Sequence, residues 1–231
     1  MFWRLNIKNI SIIKLYSLYF LSLGRNKFYK FLINNHKSSN SQMFQDLFVI
    51  FYTNFKKKGF FIEIGVGDGI HLSNSYLLEN KYSWEGLLCE ADYRMFNKFY
   101  HHRKKSELIK TMVSDVCKKN VTFYLAQDPY LSSPHNVSHS DQVTLPNSKC
   151  LNHILEENSL NIEIDYISID TEGTEFEILK NFDFRKYKVK IITVEHNFDF
   201  KKRKKINELL ISKGYTTIHK HLSHMDDWYI L

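Results

Sequence analysis

Cysteine and proline are scarce in this sequence, with three residues of each among 231. The cysteines are too few and too irregularly spaced for a disulfide framework, and no pair has the CxxC spacing that zinc sites favour. We therefore expect a protein of a reducing, cytoplasmic compartment without a cysteine-based zinc site.

Acidic residues are missing from the N-terminal region, where none occurs before Asp46. The same region contains seven basic residues, which account for the whole formal charge of +7. Residues 46–231 therefore carry equal numbers of basic and acidic side chains. Because nucleic-acid-binding surfaces are broadly basic, this balance argues against a nucleic-acid partner.

A hydrophobic run long enough to cross a membrane is also missing. The longest candidate, Ile10–Leu23, contains Lys14 and falls short of the about 20 residues that a span needs. Its polar residues recur at a spacing of three, which predicts an amphipathic helix in a basic, apolar extension over residues 1–40. We expect residues 7–30 to contact the inner face of an anionic membrane peripherally. Docking on the domain itself and an organellar presequence are the alternatives.

The rest of the chain, residues 41–231, alternates short apolar runs with amphipathic stretches. This pattern predicts one α/β domain with a mostly parallel sheet and helices on both faces. The predicted strands are Phe60–Ile64, Gly86–Glu90, Leu108–Val113, Val121–Leu125, Asp165–Ile169, Lys190–Val194, Tyr215–His219 and Trp228–Leu231.

All three prolines fall in residues 127–147, a segment rich in Ser, His and Asp. Long segments without regular structure inside a compact domain are usually functional or disordered. We predict an irregular loop here that serves as a lid over the acceptor, with a disordered insertion as the alternative.

Three glycines follow the first predicted strand in the motif EIGVGDG, Glu63–Gly69. Glycine tolerates a positive φ in a tight turn and, without a Cβ, lets a ligand approach the backbone. The spacing is GxGxG and differs from the GxGxxG of dinucleotide folds. The turn alone indicates either a ligand at the strand end or a plain connection from strand to helix.

Glu90 ends the second predicted strand, 25 residues after Gly65. A carboxylate at that tip is placed to accept hydrogen bonds from both hydroxyls of a ribose, which selects a nucleoside-containing ligand. Backbone amides at the helix start near Asn74 suit an anionic group of such a ligand. The full set predicted to contact it is Gln45, Glu63, Gly65, Gly67, Asp68, Gly69, Asn74, Glu90 and Ser114.

Taken together, these residues resemble the FkbM family of methyltransferases over most of the chain after the extension. The resembling segments are SQMFQDLFV (Ser41–Val49), GFFIEIGVGDGIHLSNS (Gly59–Ser75), Trp84–Glu90, DYISIDTEGTEFEIL (Asp165–Leu179), VEHN (Val194–Asn197), LLISKGY (Leu209–Tyr215) and DDWYI (Asp226–Ile230). The resemblance implies a class I, Rossmann-like methyltransferase fold with seven strands and an antiparallel C-terminal hairpin. It also implies S-adenosylmethionine as methyl donor and a hydroxyl acceptor, often on a sugar or glycan such as a surface polysaccharide or glycolipid precursor.

Methyl transfer to a hydroxyl requires alignment of donor and acceptor and removal of a proton. Asp170 and Glu172 follow one predicted strand, and Glu195 and His196 follow the next. We predict Asp170 or His196 as the base. Glu172 and Glu195 then orient the base or join Asp170 in a divalent-metal site. The alternative is that these side chains only hold the two loops together.

Other functions remain compatible with the sequence, since a fold alone does not guarantee chemistry. One is a non-catalytic module that binds S-adenosylmethionine. Another is a methyltransferase whose acceptor is a small molecule or a nucleic acid.

Overall fold

The computed structural model describes residues 2–158 and 163–231. Met1, which belongs to the predicted extension, lies outside them. The helices are α1 (Phe2–Leu21), α2 (Lys27–Asn35), α3 (Gln45–Tyr52), α4 (Tyr76–Tyr82), α5 (Phe96–His102), α6 (Leu151–Glu157), α7 (Glu175–Lys180) and α8 (Phe200–Ser212). The strands are β1 (Phe60–Ile64), β2 (Glu85–Glu90), β3 (Ser106–Lys110), β4 (Met112–Ser114), β5 (Lys118–Ala126), β6 (Ser140–Cys150), β7 (Ile164–Ile169), β8 (Val189–Glu195), β9 (Thr216–Ile218) and β10 (Asp226–Ile230).

Seven strands form the main sheet, in the order β3-β2-β1-β7-β8-β10-β9. The first five are parallel to one another, and β10 runs antiparallel to both β8 and β9. The predicted mostly parallel sheet with an antiparallel C-terminal hairpin is confirmed. Chain order reverses between β1 and β7, and in open α/β sheets ligands bind at the carboxyl ends of the strands beside such a reversal.

The central strands are buried on both faces, which explains their nearly continuous apolar sequence. Ile62, Ile64, Ile167 and Ile192 belong to the core on one side of the sheet. Aromatic residues dominate the other side, where Phe48 stacks on Trp228 with ring centroids 4.7 Å apart.

The predicted strand Leu108–Val113 is wrong as a single element. It divides at Thr111 into β3, which stays in the main sheet, and β4, which joins a second sheet in the order β4-β6-β5. The Thr111 amide donates a hydrogen bond to the carbonyl oxygen of Glu90 (2.9 Å).

The prediction that residues 127–147 lack regular structure is also wrong in part. Ser140–Cys150 forms β6, which pairs antiparallel with β5 from Lys118 to Ala126. Pro146 lies opposite Asn120 at a position that is left out of the β5–β6 pairing, and β4 pairs with β6 only from Ser148 onward. Proline is tolerated there because neither neighbouring strand pairs with this position. Only residues 127–139 remain without strand structure, and they contain one short 3-10 turn, Pro129–Leu131.

The N-terminal extension packs on the same core as the domain. Leu15, Phe28 and Leu32 are buried beside Phe48 and Trp228. Burial of side chains of this size contributes about 1.5 to 3 kcal/mol each. The alternative prediction, that the extension docks on the domain itself, therefore holds for one face of the extension. Among the described residues, no helix combines the length and apolarity that a membrane crossing requires.

Candidate functional site

A cavity opens at the carboxyl ends of β1, β2 and β7, beside the reversal of strand order. Including its opening to solvent, the space is about 910 Å³. It is lined by Gln42, Gln45, Glu63–Gly67, His71, Leu72, Asn74, Cys89–Ala91, Thr111–Val113, Phe123, Pro129, Tyr130, Ser132, Pro134, Ser168, Asp170–Glu172 and Thr174.

The glycine turn forms the floor of the cavity, and its backbone conformation and close neighbours leave no room for side chains at the glycine positions. Gly65, Gly67 and Gly69 have φ values of 79°, 60° and 79°, in the left-handed region. A Cβ on Gly65 would lie 1.6 Å from the carbonyl oxygen of Asp170, and one on Gly67 would lie 2.5 Å from the Tyr130 ring. Gly65 is therefore required by close backbone contact, while Gly69 contacts Phe99 and does not line the cavity.

Glu90 is fixed at the end of β2 by three backbone amides. Its Oε2 accepts from Gly67 (2.7 Å), and its Oε1 accepts from Ala91 (2.8 Å) and Asp92 (2.7 Å). Burial outweighs these hydrogen bonds and raises the pKa of Glu90 to about 7. The carboxylate lines the cavity, and Oε2, which accepts only one hydrogen bond, keeps lone-pair capacity for a ligand hydroxyl.

Glu63 binds the loop between the glycine turn and α4. Its oxygens accept from the Ser73 hydroxyl (2.9 Å), the Asn74 amide (2.6 Å) and the Ser75 hydroxyl. The predicted cofactor contact of Glu63 is therefore shared with a structural role. Burial raises its pKa, and the nearby Arg103 charge offsets part of that rise.

Asn74 presents an open acceptor at this end of the cavity. Its Nδ2 donates to Ser168 Oγ (2.8 Å), whereas its Oδ1 is buried without a hydrogen-bond partner among the described residues. A buried acceptor of this kind is costly unless a ligand donor satisfies it. The ammonium group of an amino acid would supply that donor.

Arg103 holds the whole loop together, and sequence reasoning missed it. The guanidinium is buried and donates to Glu79 Oε2, Gly69 O, Ser73 Oγ and Ser75 Oγ at 2.8, 2.9, 3.1 and 2.7 Å. Nothing in the sequence distinguishes this arginine from a solvated residue at the end of a helix.

A cluster of carboxylates occupies the far side of the cavity. Asp170 and Glu172 line it, and ligand atoms of Asp170, Glu175 and Glu195 lie within 4.8 Å of one another. Glu175 Oε2 also accepts from Lys202 Nζ at 2.8 Å. The predicted metal set was Asp170, Glu172 and Glu195, so Glu175 stands where Glu172 was expected.

The surroundings raise the pKa of two carboxyl groups in this region, Asp226 and Glu195. Asp226 lies opposite Glu195 in the β8–β10 register. Burial, followed by the charge of Asp170, raises the pKa of Asp226 to about 8. Burial and the same neighbour raise the pKa of Glu195 well above its usual range. This part of the site is suited to receive a proton or a cation, because either would relieve the mutual repulsion.

Gln45 connects the cluster to α3. It lines the cavity as predicted for a cofactor contact, and its Nε2 donates to Asp226 Oδ2 (2.5 Å). The sequence indicated Asp226 only as the first residue of the resembling segment DDWYI. Its burial beside Glu195 depends on the antiparallel register of β10, which composition does not reveal.

Four other predicted residues lie outside the cavity lining, namely Asp68, Ser114, Glu195 and His196. Asp68 caps the turn by accepting from the amides of Ile70 and His71. Ser114 donates to Asp115 Oδ1 (2.9 Å). Glu195 belongs to the cluster just described but lies behind Asp170.

His196 is buried, and its Nδ1 accepts from the Phe198 amide (3.1 Å). Its Nε2 has no partner among the described residues, and burial lowers its pKa. In neutral His196 the nitrogen that can accept a proton, Nδ1, already accepts this hydrogen bond. Asp170 is therefore the better placed of the two predicted bases.

The segment between β5 and β6 covers the cavity. Tyr130 lies against Gly67, and the Ser133 hydroxyl donates to the carbonyl oxygen of Glu172 (2.9 Å). Asp92 and Arg94 anchor the segment, since Ser132 Oγ donates to Asp92 Oδ2 at 2.8 Å and Arg94 Nη2 donates to the Ala126 carbonyl at 2.9 Å.

Several solved structures resemble this chain at low identity. They include a precorrin-6y C5,15-methyltransferase from Geobacter metallireducens (12% identity, TM-score 0.45, 80% of this chain and 85% of that chain covered). A human methyltransferase 10 domain containing protein follows (14% identity, TM-score 0.46, 80% of each chain covered). A third is the hMettl16 catalytic domain in complex with MAT2A 3'UTR hairpin 1 (14% identity, TM-score 0.44, 79% and 66% covered).

Two further findings come from comparison of the sequence. No curated protein is significantly similar to the chain. Residues 63–227 match the family model described as the Methyltransferase FkbM domain. The match includes the glycine turn, Glu90 and the carboxylate cluster.

Proposed function

Since this chain belongs to the FkbM family and is an S-adenosylmethionine-dependent methyltransferase, we propose that it methylates a hydroxyl group on a sugar or glycan. The observation that carries the proposal is the carboxylate cluster on the far side of the cavity from Glu90. Carboxylates accept hydrogen bonds from hydroxyl groups and can remove their protons.

S-adenosylmethionine supplies an electrophilic methyl group on a sulfonium. Glu90 suits its ribose, and the unpartnered Asn74 Oδ1 suits its ammonium group. The residues of the cavity therefore fit this cofactor at both ends.

In our proposal, Asp170 orients the acceptor hydroxyl and takes its proton as the oxygen–carbon bond forms. Asp170 lines the cavity beside Gly65, so the residue that carries the proposed base contacts the glycine turn through its backbone. The segment that carries Tyr130 excludes water from the reacting groups. Positioning of this kind can supply roughly 7 to 11 kcal/mol of the barrier reduction in favourable cases.

The same cluster disfavours a nucleic-acid acceptor. Asp170 and Glu172 present negative charge at the cavity, which repels a phosphate backbone. A neutral polyol meets no such repulsion. A nucleic-acid acceptor is therefore the second candidate and serves as the competing arm of the test.

The direct test uses S-adenosylmethionine labelled in the methyl group. Purified protein is incubated separately with neutral oligosaccharides, nucleotide sugars, glycolipid precursors and a structured RNA. We expect label in a saccharide-containing acceptor as an alkali-stable ether. Transfer to the RNA with none to any saccharide would refute the hydroxyl-on-glycan assignment.

We further propose that the cluster accepts a divalent cation such as Mg²⁺ when the acceptor binds. Asp170, Glu175 and Glu195 supply oxygen ligands of the kind such ions prefer, and Glu195 Oε2 is buried without a partner among the described residues. Lys202 competes for the same negative charge. Measuring activity after chelation and during Mg²⁺ titration decides between the cation and Lys202. Full activity in excess chelator would refute the metal proposal and leave the methyltransferase assignment unaffected.

Finally, we propose that the extension rests on the anionic surface of a cytoplasmic membrane leaflet. Ile13, Phe20 and Leu23 are 69%, 82% and 77% exposed, whereas Leu15 is buried. Basic residues flank this apolar surface, and no acidic residue occurs before Asp46. Exposed apolar side chains with basic neighbours bind anionic lipid surfaces by burial and charge attraction together.

Deletion of the extension would expose the core, so point substitutions are the better test. Phe20→Ser with Leu23→Ser should reduce cosedimentation with phosphatidylserine vesicles. Phe200→Ser is the matched control, because Phe200 is 78% exposed on α8. Equal binding of the double variant and the control would discard the membrane contact.

A further inference from the structure

Two of the three cysteines are neighbours in space although 33 positions separate them. The Sγ atoms of Cys117 and Cys150 lie 3.4 Å apart, and the Cys150 amide donates to Cys117 Sγ at 3.3 Å. Cys117 is in the turn between β4 and β5, and Cys150 ends β6. A disulfide bond is about 2.05 Å long, so an approach of roughly 1.4 Å would join them.

The turn that carries Cys117 is held in place from β6. Ser148 Oγ donates to the Val116 carbonyl oxygen (3.0 Å), and the Lys118 amide donates to Ser148 Oγ (3.3 Å). Ser114 pairs with Cys150 in the β4–β6 register. Cys117 therefore lies in a turn that is hydrogen-bonded to β6 on both sides of it, which holds its thiol beside that of Cys150.

Access to solvent separates these thiols from the third. Cys117 is exposed and Cys150 is partly exposed, whereas Cys89 is buried. Burial raises the pKa of Cys89 to about 12 and also raises the pKa of Cys150, so solvent access is what distinguishes the pair from Cys89. Thiol–disulfide exchange requires an accessible thiolate, which leaves the other two as the reactive pair.

We propose that Cys117 and Cys150 form a reversible intramolecular disulfide. The Cys117 thiol loses its proton and attacks a low-molecular-weight disulfide, which gives a mixed disulfide and releases one small thiol. The deprotonated Cys150 then attacks Cys117 Sγ, which forms the protein disulfide and releases the second small thiol. Two electrons pass from the protein to the small disulfide, and each departing small thiolate takes up one proton.

The bond would close a loop that contains β5, β6 and the segment over the cavity. Cross-linking a loop restricts the unfolded chain and so stabilises the folded state, with the longer loops gaining more. Met112 and Val113, in the strand beside Cys150, line the cavity. The disulfide therefore fixes the base of the structure that covers the proposed cofactor site, whatever the acceptor is.

The experiment equilibrates the full-length protein in graded mixtures of reduced and oxidised glutathione. Intact mass should fall by roughly 2 Da in the oxidised protein, and alkylation after denaturation should label only Cys89. Peptide mapping should recover the Cys117–Cys150 link. Cys117→Ser and Cys150→Ser should each abolish the change, whereas Cys89→Ser should retain it.

The thermal midpoint supplies the second readout. Oxidised wild-type protein should unfold at least about 5 °C above the reduced form, and a thiol reductant should reverse the shift. A stable glutathione adduct, a disulfide-linked dimer, or an oxidised monomer with an unchanged midpoint would each overturn the proposal.

Discussion

Gly65 and Asp170 touch through their backbones at the floor of the cavity. The missing Cβ of Gly65 would lie 1.6 Å from the carbonyl oxygen of Asp170, and the Asp170 amide donates to the carbonyl oxygen of Ile64 (3.0 Å). The turn assigned to the cofactor and the carboxylate assigned as base are thus built on one junction of β1 and β7. A change in either should alter binding and chemistry in ways that can be separated.

Gly65→Ala should abolish cofactor binding and destabilise the fold. The new methyl group meets backbone, which cannot rotate away, and it does so at a φ of 79°. Gly214→Ala is the matched control, because Gly214 also has a positive φ of 94° but would meet only the Leu231 side chain, at 3.6 Å. The control should cost about 1 kcal/mol and leave binding of S-adenosylhomocysteine intact, as measured by calorimetry and thermal unfolding. Equal losses in both variants would show that the contact with Asp170 is unimportant.

Asp170→Asn should lower kcat by about 10²- to 10⁴-fold, which is the usual contribution of a positioned base. Binding of S-adenosylhomocysteine and the unfolding midpoint should change little, since the amide keeps the shape of the carboxylate. Glu177→Gln, on an exposed carboxylate of α7, is the control and should retain full turnover. Unchanged kcat in the Asp170 variant would remove this residue from the mechanism.

Arg103→Met should cost about 3 to 5 kcal/mol of unfolding free energy, because it leaves Glu79 buried without its charge partner. Cofactor affinity should fall as well, since the loop from Gly69 to Ser75 loses its anchor. Lys186→Met removes an ion pair of similar length at the exposed surface and should leave the midpoint unchanged. Denaturant titration measures the unfolding free energy of both variants. Similar stability of the two would contradict the structural role of Arg103.

Asp226 should make the protein less stable as pH rises. Its folded-state pKa is about 8, above the ordinary value of 3.8, so the folded chain binds this proton more tightly than the unfolded chain. The contribution is present below about pH 4 and is lost progressively up to about pH 8. The groups facing it are Gln45, Asp170, Glu175, Glu195 and Asp227.

The substitution Asp226→Asn should flatten this part of the pH dependence. Asp141→Asn, on an exposed carboxylate, should preserve the wild-type slope. Denaturant unfolding at intervals from pH 5 to pH 8 measures the difference. A slope in the Asp226 variant equal to that of wild type would show that the carboxyl group is not protonated in the folded state.

Local sequence signals were sufficient to predict the parallel core and the glycine turn. The apolar strand Phe60–Ile64, the glycines after it and Glu90 each lie where predicted, because strand periodicity and the conformational freedom of glycine are local properties. The parallel pairing of β1 with β2 follows from the helical crossover between them.

Features that depend on long-range register could not be predicted in this way. The strand Ser140–Cys150 is polar and contains Pro146, and it is specified by its pairing with β5. The burial of Arg103 and the raised pKa of Asp226 arise from partners distant in sequence. The contact between Cys117 and Cys150 has the same origin, which is why cysteine spacing did not reveal it.

The most direct test of the whole account is calorimetric titration with S-adenosylhomocysteine at pH 8, where Glu90, with a pKa of about 7, is ionised. Wild-type protein should bind, and its affinity should weaken as pH falls to 6 because the carboxylate that we propose accepts hydrogen bonds from the ribose becomes protonated. Glu90→Gln should bind at least about tenfold more weakly, the lower range for loss of a charged hydrogen bond. Glu85→Gln, at the exposed opposite end of the same strand, should bind as wild type does. Absence of binding to the wild-type protein, or undiminished binding to Glu90→Gln, would contradict the account.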